Sequence, residues 1–328
     1  MQVDIGVTSG MQLKLILKVI KLAQEAGLRN VWIGDDIGLR HDVFTVASII
    51  LLKYPKVNVG IGITSPLLMN ISTIARASVS LTEVGGDMRF RLGLGIGGLQ
   101  DLARLGITVK NHKNVLRDAV MLLRKIWKGE KLLFKSESFA LENYYTRHIL
   151  ESKIPIFFGV RGPKLLKLAG EIADGIILSG PRTYLEKAIR LVRNSVEKSQ
   201  ESTRSFHYVV WVPTILIEKQ SDLNLVKRTV AFVLADTPNK VLKMAELNLN
   251  RIGEIRTVCQ QSGIEKAALR VTSDLINEVA VHGSAKQICE TFHSLERLGI
   301  HEVVFGPPYG VNLEEAIMKL GQAWSGFS

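Results

Sequence analysis

Eight short β-type segments alternate with amphipathic helical segments, and this alternation limits the folds that the chain can adopt. The segments begin at Val3, Asn30, Val57, Phe90, Ile154, Gly175, Tyr208 and Glu302. Strands separated by helices predict a parallel sheet with helical crossovers. Eight such units fit a closed TIM (β/α)8 barrel of about 250 residues, which leaves about 80 for insertions. We therefore predict an α/β TIM barrel, with a doubly wound open sheet as the alternative.

The segment from Glu218 to Ala280 interrupts the alternation, because its pattern is that of several helices without a clear partner strand. We predict a mostly helical insertion here, after the seventh strand. Phe134–Ser152 is interpreted as a polar connection between the fourth and fifth units, and Thr183–Gln200 as a long helix. No linker rich in Pro, Gly or Ser and no internal repeat divides the chain, so residues 1–328 are expected to form a single domain.

The composition excludes several classes of protein. Hydrophobic residues make up 46% of the chain and charged residues 22%, which excludes disordered, collagen-like and low-complexity proteins. No apolar run approaches the roughly 18 residues that span a bilayer, and no signal-peptide pattern precedes the first strand, so we expect a cytoplasmic protein without a membrane partner. Cys259 and Cys289 cannot form a disulfide framework. No second ligand pair accompanies Cys289 and His293, so we expect no metal site.

The net charge of +11 favours an anionic partner, which is a nucleic acid, a membrane surface or an anionic small molecule. Part of the excess lies between Lys110 and Lys135, where six Lys and two Arg stand against Asp118 and Glu130, a net charge of +6. This segment has an amphipathic pattern and no interleaved aromatic platform for bases. A solvated basic helix explains it, and we expect no specific nucleic-acid binding.

Two glycine-rich segments follow predicted strands. Gly93–Gly98 satisfies the pattern GxGxxG, but it follows the fourth strand rather than the first, which does not fit a dinucleotide-binding fingerprint. Gly159–Lys164 follows the fifth strand and opens a helix with Pro163 in its first turn. Its backbone N–H groups, the helix dipole and the cations Arg161 and Lys164 suit an anion such as phosphate. An ordinary turn with surface cations is the alternative.

Two neighbouring carboxyl groups follow the second strand. Asp35 and Asp36 stand where a barrel places its working residues. Close, buried carboxyl groups raise each other's pKa, so both are candidates for proton transfer, with a capping or solvated loop as the alternative. The chain has no GxSxG segment, which argues against a Ser-His-Asp hydrolase.

Four segments together resemble a known family. They are Ala23–Asp36 (AQEAGLRNVWIGDD), Gly60–Pro66 (GIGITSP), Arg91–Gly98 (RLGLGIGG) and Ile154–Gly175 (IPIFFGVRGPKLLKLAGEIADG). They resemble the bacterial-luciferase-like oxidoreductases, and most closely the deazaflavin-dependent methylene-tetrahydromethanopterin reductases of archaea. The resemblance extends from Val3 to about Trp324 and is weakest in the predicted insertion. It implies a TIM barrel with an insertion after the seventh strand, and a homodimer or larger homo-oligomer.

The resemblance also implies a cofactor and the residues that hold it. Coenzyme F420, a 5-deazaflavin, is expected across the strand ends, with Asp35 near its ring. Gly62–Ile63 matches a cis peptide bond that does not involve proline, which would press Ile63 against the ring. The other implied contacts are Thr64 and Ser65 as polar groups, Gly97 and Gly98 along the ring, and Gly159, Val160, Arg161, Gly162 and Pro163 at the phosphate and tail.

The chain departs from the family pattern at several positions. The reductases carry acidic residues where Gly6 and Gly98 stand, a His at Asp36 and a Gln at Arg161. Asp35 and Asp36 are therefore the candidate catalytic acids. We predict an F420-dependent oxidoreductase that transfers a hydride between the cofactor and a small organic substrate, for which a methylene-tetrahydromethanopterin-like pterin is the nearest example. The alternatives are an FMN-dependent monooxygenase or reductase and a catalytically silent, cofactor-binding homologue.

Overall fold

Eight parallel strands close into a barrel in the computed structural model, which describes residues 1–86, 88–147, 149–150, 153–199 and 205–327. The described residues contain eleven strands in all, which in chain order are β1 (Gln2–Thr8), β2 (Asn30–Gly34), β3 (Asn58–Thr64), β4 (Phe90–Leu94), β5 (Leu132–Lys135), β6 (Ala140–Tyr144), β7 (Ile156–Phe158), β8 (Gly175–Leu178), β9 (His207–Leu216), β10 (Val281–Gly283) and β11 (Glu302–Gly310). The eight barrel strands are β1, β2, β3, β4, β7, β8, β9 and β11. Hydrogen bonds join the sheet in the order β10-β9-β11-β1-β2-β3-β4-β7-β8, and β8 pairs back with β9. This last pairing closes the ring. The predicted TIM barrel is confirmed and the open-sheet alternative is wrong.

Helices cover the outside of the barrel and form the segment between β9 and β10. They are α1 (Leu13–Glu25), α2 (Val43–Lys53), α3 (Ile71–Gly85), α4 (Leu99–Arg104), α5 (His112–Trp127), α6 (Pro163–Ile172), α7 (Arg182–Glu197), α8 (Leu223–Asp236), α9 (Asn239–Met244), α10 (Leu249–Ser262), α11 (Ile264–Ala268), α12 (Ser273–Val279), α13 (Ala285–Glu296) and α14 (Leu313–Phe327). None of those in the described segments is both long and apolar enough to cross a bilayer.

Helix α1 illustrates how the sequence pattern produces a docked helix. Ile16, Val19, Ile20 and Ala23 recur at helical spacing, and all four are buried. The chain leaves the helix where Gly27 has a φ of 87°, a conformation that glycine adopts without steric cost. The apolar stripe and the glycine stop, both visible in the sequence, thus fix the position of this helix.

The predicted insertion is helical in the structure. Helices α8 to α12 follow β9, the seventh barrel strand, and enclose a separate apolar core that includes Val226, Val230, Leu234, Ile252 and Ile255. The mostly helical insertion after the seventh strand is therefore confirmed. At its end, β10 adds a short parallel strand beside β9, which the sequence pattern did not predict because three residues are too few to show a period.

Two further elements differ from the expectation. Strands β5 and β6 form an antiparallel hairpin in the segment interpreted as a polar connection. The hairpin buries Leu132 and Leu141 but leaves Leu133 80% exposed, so its apolar pattern is irregular. The long helix α7 spans Arg182–Glu197 rather than Thr183–Gln200. Gln200, like Ser152 at the end of the connection, lies outside the described residues.

Charged side chains fill the amino end of the barrel interior. The indole Nε1 of Trp32 lies 3.2 Å from Asp4 Oδ2 and 3.2 Å from Glu302 Oε2, so one donor bridges two carboxyl groups. His207 Nε2 lies 2.8 Å from Glu302 Oε1, and Arg91 forms an ion pair with the same carboxylate. These contacts connect strands β1, β2, β4, β9 and β11 inside the barrel.

The two buried carboxyl groups of this cluster have opposite pKa shifts. Burial raises the pKa of Asp4 well above its usual value, and the neighbouring Glu302 raises it further. Burial alone would raise the pKa of Glu302 as well, but hydrogen bonds from His207 and Asp4 and the charge of Arg91 hold it below its usual range. Asp4 therefore holds its proton to a higher pH than an exposed aspartate does, whereas Glu302 favours the negative charge that Arg91 balances.

Candidate functional site

A cavity of about 260 Å³ opens at the carboxyl ends of the barrel strands. Five residues predicted for the site line it, namely Gly62, Ile63, Gly159, Val160 and Arg161. A larger cavity of about 730 Å³ lies outside the barrel, between α3, α5 and the residues after β6, and none of the predicted site residues lines it. Chemistry in a TIM barrel belongs at the carboxyl ends of the strands, so we take the smaller cavity as the candidate site.

A cis peptide bond joins Gly62 to Ile63 at the edge of this cavity, as the resemblance implied. The side chain of Ile63 lies across two glycines of neighbouring strand ends. A Cβ atom on Gly159 would stand 2.4 Å from Ile63 Cγ2, and one on Gly95 would stand 2.7 Å from Ile63 Cδ1. Glycine is thus required at both positions for Ile63 to occupy its place. A second cis bond, between Pro307 and Pro308, was not predicted.

The Asp35 carboxyl group contacts Thr64, the residue after this peptide bond, and does not itself line the cavity. Its Oδ2 accepts a hydrogen bond from Thr64 Oγ1 at 2.6 Å, which links the end of β2 to the end of β3. Burial raises the pKa of Asp35, the negative charges of Asp42 and Asp36 raise it further, and the hydrogen bonds from Thr64 and Ser9 only partly oppose the rise. Asp35 is therefore a carboxyl group that holds its proton to a higher pH than an exposed aspartate does.

Asp36 has different contacts. Its Oδ2 accepts a hydrogen bond from the backbone N–H of Gly10 at 3.2 Å, and its own N–H donates to Ser9 Oγ at 2.9 Å. These bonds hold the loop after β1 against the end of β2. Neither aspartate lines the cavity, but Asp35 contacts Thr64, the neighbour of the lining residue Ile63, whereas Asp36 contacts the loop after β1; we therefore favour Asp35 as the acid.

Ser65 and Gly97 bring the ends of β3 and β4 together. Ser65 is 1% exposed, and a Cβ on Gly97 would stand 3.4 Å from the Cβ of Ser65 and 2.9 Å from Cδ1 of Ile37. Gly97 also has a φ of 89°. Both features favour glycine at this position. The two residues thus shape the rim beside the cavity, although neither lines it.

The space beside Gly98 holds a carboxylate that the sequence analysis missed. A Cβ on Gly98 would stand 2.6 Å from Oδ2 of Asp101, whose Oδ1 forms an ion pair with Arg104 at 3.1 Å. Asp101 lies in the first turn of α4, a helix of six residues that was not predicted. The sequence signal that could have revealed this residue is an acidic side chain three positions after a glycine at the start of a helix. An acidic group is thus present beside Gly98 although residue 98 supplies none.

The loop after β7 provides positive charge at the cavity. Gly162 has a φ of 105° and precedes Pro163, the first residue of α6, so the positive end of this helix begins at the loop. Arg161 lines the cavity, and its Nη1 lies 4.0 Å from Oδ2 of Asp236 in the insertion. Beneath the loop, burial raises the pKa of Tyr184 to about 12, against the opposing charge of Arg161. The loop has the features of an anion site.

Five lining residues were missed by the sequence analysis, namely Thr8, Gly34, Ile177, Ser179 and Trp211. Each lies on or just beyond a barrel strand and faces the interior. The alternation of side chains along a strand could have identified them, once the strands were assigned to a barrel. Within the described residues, no three or more His, Cys, Asp or Glu side chains are grouped so that they could hold a metal ion.

Comparison with known proteins identifies relatives over almost the whole chain. A family model described as luciferase-like monooxygenase matches residues 2–302. The 5,10-methylenetetrahydromethanopterin reductase of Archaeoglobus fulgidus is 27% identical over 314 residues, which cover 92% of this chain and 92% of the relative.

Solved structures share the fold. The coenzyme F420-dependent tetrahydromethanopterin reductase from Methanopyrus kandleri superposes with a TM-score of 0.89 at 20% identity, covering 100% of this chain and 99% of that one. An F420-dependent secondary alcohol dehydrogenase, in complex with an F420-acetone adduct, gives a TM-score of 0.80 at 17% identity and covers 98% of both chains. The same barrel therefore carries at least two kinds of F420-dependent reaction in these neighbours.

Proposed function

The chain belongs to the luciferase-like monooxygenase family, and we propose that it is a coenzyme F420-dependent oxidoreductase that transfers a hydride between the deazaflavin and a small organic substrate. One observation carries the proposal: a single cavity is lined by the Ile63 side chain, by the glycine backbone of Gly62 and Gly159, and by the Arg161 side chain. A cofactor with a flat ring and an anionic tail matches this combination. The relatives described above are named as F420-dependent enzymes or as a methylenetetrahydromethanopterin reductase, which supports the same assignment.

The residues around the cavity fit such a cofactor. Gly62 and Gly159 line the cavity with backbone, and the side chain of Ile63, which packs against Gly159, gives the wall an apolar surface on which a flat ring can lie. Arg161 and the start of α6 supply charge and dipole for a phosphate, and a guanidinium can bind phosphate through two parallel hydrogen bonds. When bound, F420 supplies or accepts the hydride at its ring.

Asp35 is the proposed proton donor and acceptor. Its raised pKa makes the protonated form available nearer to neutral pH, which a general acid requires. Thr64 fixes the orientation of the carboxyl group by donating to Oδ2. Asp101, beside Gly98, is a second carboxylate at the same end of the barrel. The chain's own residues would thus bind the cofactor, leave its ring open to a substrate and hold a proton nearby.

The substrate class follows from the relatives. A methylene-tetrahydropterin of the methanopterin type is the first substrate to test, because the reductases cover the chain almost completely. A small secondary alcohol or ketone is the second, since a structural neighbour is named for that reaction.

A binding titration tests the cofactor assignment. The purified protein is titrated with oxidised F420 and, in a parallel series, with FMN, and ligand fluorescence is followed at low and at moderate salt. We expect saturable F420 binding that persists at moderate salt, because ring contacts do not depend on charge. Binding of FMN alone would favour the flavin-dependent alternative. Binding of F420 without turnover of any pterin or alcohol would favour the catalytically silent homologue.

We also propose that the protein is cytoplasmic and forms a homodimer or larger homo-oligomer. Exposed apolar side chains at the carboxyl ends of α2 and α3, namely Leu52, Val84 and Met88, support association. Sedimentation over a range of concentrations tests the oligomeric state, and a mass that stays at 36.3 kDa would contradict it.

A further inference from the structure

The indole of Trp211 crosses the barrel interior just below the cavity. Its atoms lie close to glycines on four neighbouring strands, as the distances from a Cβ atom placed on each glycine show. A Cβ on Gly306 would stand 2.2 Å from Nε1, one on Gly6 2.5 Å from Cζ2, one on Gly62 3.5 Å from Cζ3 and one on Gly34 3.8 Å from Cη2. No side chain can therefore occupy positions 6 and 306 while the indole is in place.

The indole rests on a filled layer and cannot sink further into the barrel. Trp32, Phe157 and Val304 form the next layer, and Val304 Cγ1 would stand 2.9 Å from a Cβ on Gly6. The carbonyl of Gly6 accepts a hydrogen bond from the buried hydroxyl of Tyr309, which fixes β1 at this height. Trp211 is thus held from below while it lines the cavity above.

This arrangement also sets the polarity of the cavity. Among the residues that line it, Arg161 is the one charged side chain in the described part of the chain. The rest of the lining consists of glycines, the indole, the aliphatic side chains of Ile63, Val160 and Ile177, and the hydroxyl-bearing side chains of Thr8 and Ser179. An acidic side chain at position 6 of strand β1 is excluded, because Trp211 fills the space in front of Gly6. The cavity wall therefore has an aromatic surface and, among the described residues, no acidic group.

We propose that Trp211 is a positioning and specificity-determining residue, in contact with the flat ring that binds in this cavity, and that Gly6 lacks a side chain to make room for it. The inference rests on the proposed function, because the ring is taken to be the deazaflavin. An aromatic floor favours a planar ring through stacking and excludes an anionic group from the deep end. Protons then reach the reacting atoms from the rim, where Asp35 lies, and not from the floor.

A fluorescence measurement tests the contact directly. An indole in van der Waals contact with an excited ring quenches it by electron transfer, whereas a phenyl group does not. We expect bound oxidised F420 to be strongly quenched in the wild type and in Trp324→Phe, an aromatic substitution on the outer helix α14. In Trp211→Phe the quenching is lost. Equilibrium dialysis, which is independent of fluorescence, is expected to show a Kd about tenfold higher in Trp211→Ala.

The outcomes separate the two proposals. Quenching that is equal in Trp211→Phe and the wild type, with F420 binding intact, would overturn the role of Trp211 alone. Absence of F420 binding by the wild type would overturn the proposed function, and the inference with it.

A double-mutant cycle tests the exchange between Gly6 and Trp211 without any cofactor. We expect Gly6→Ala to lower the Tm, and the additional change Trp211→Ala to recover part of that loss because it vacates the space. Combining Gly6→Ala with Trp324→Ala is the control and is expected to give no recovery. Additive effects in the first pair, or a Gly6→Ala protein as stable as the wild type, would contradict the steric coupling.

Discussion

The two ends of the barrel interior are built from opposite kinds of residue. At the amino end, hydrogen bonds and ion pairs join Trp32 and the side chains of Asp4, Arg91, His207 and Glu302. At the carboxyl end, inward positions of the same strands carry glycine, including Gly6, Gly34 and Gly306, and a single indole covers them. The difference shows that one end of the barrel is filled by charged side chains that pair with one another, while the other is lined by glycines, an indole and aliphatic side chains beside an open cavity.

A comparison of two carboxyl groups makes the same point. Burial raises the pKa of both Asp4 and Asp35. Asp4 is 0% exposed and accepts hydrogen bonds from Asn30 Nδ2, at 2.9 Å, and from Trp32 Nε1. Asp35 is half-buried at the rim and has a hydrogen bond from Thr64. A proton on Asp4 therefore serves the fold, whereas a proton on Asp35 is available to a ligand.

The largest expected effect separates Asp35 from its neighbour. Asp35→Asn removes the proposed proton donor and is expected to slow single-turnover oxidation of reduced F420 by a methylene-pterin about 10²- to 10⁴-fold. Asp36→Asn is the comparison variant, since it alters the loop bond to Gly10 and removes one of the smaller charges that raise the pKa of Asp35, but leaves the Asp35 carboxyl group in place. Stopped-flow absorbance of the deazaflavin measures both. Equal rates for Asp35→Asn and the wild type would remove Asp35 from the mechanism.

Stability is expected to depend mainly on the amino end. Arg91→Ala leaves the Glu302 carboxylate buried without its ion pair and is expected to lower the free energy of unfolding by about 3–5 kcal/mol. Lys21→Ala, which breaks an exposed pair with Glu25, is the control and is expected to have almost no effect. Urea denaturation followed by circular dichroism measures both variants. A loss for Arg91→Ala no larger than the control's would mean that the buried cluster does not stabilise the barrel.

Ligand binding is expected to depend mainly on the carboxyl end. Arg161→Ala removes the charged group of the anion loop and is expected to raise the Kd for F420 about 10- to 100-fold, with a smaller dependence of binding on salt. Arg117→Ala removes the same charge from the exposed face of α5 and serves as the control. The titration described above measures both. An equal rise in Kd for the two variants would indicate general attraction of an anion rather than a site at Arg161.

The smallest expected effect is the pH dependence contributed by Asp4. Its pKa in the folded protein is raised above the unfolded value, so its stabilising contribution is complete at low pH and is lost as pH rises through the folded pKa. The stability of the wild type relative to Asp4→Asn should therefore fall with rising pH, by at most about 1.4 kcal/mol per pH unit. Urea denaturation at a series of pH values measures this difference. A difference that rises with pH would mean that Asp4 is ionised in the folded protein.

Much of the fold could be predicted from the sequence because it depends on local patterns. All eight barrel strands begin within two residues of the predicted positions, since apolar runs and helical spacing are visible within one segment. The hairpin of β5 and β6, the short helix α4 and strand β10 were missed. These elements are short or half-exposed, so their apolar periods are incomplete.

The candidate site was predicted less completely, because it depends on contacts between distant segments. The cis bond at Gly62 and the loop around Arg161 could be inferred from recognisable motifs. Trp211 could not, because its role is visible only when Gly6 and Gly306 are placed against its ring, about 200 and 95 residues away along the chain. Asp101 was missed for a local reason, since it lies three positions after Gly98 on a six-residue helix that is too short to show a helical period.

A crystal structure with oxidised F420 would test the division between the two ends most directly. We expect the deazaflavin ring in the cavity at the carboxyl end, in contact with Ile63 and Trp211, and the phosphate within hydrogen-bond distance of Arg161. The charged cluster around Glu302 should remain unchanged. A ligand bound instead in the outer cavity between α3 and α5, or an open amino end, would contradict this division.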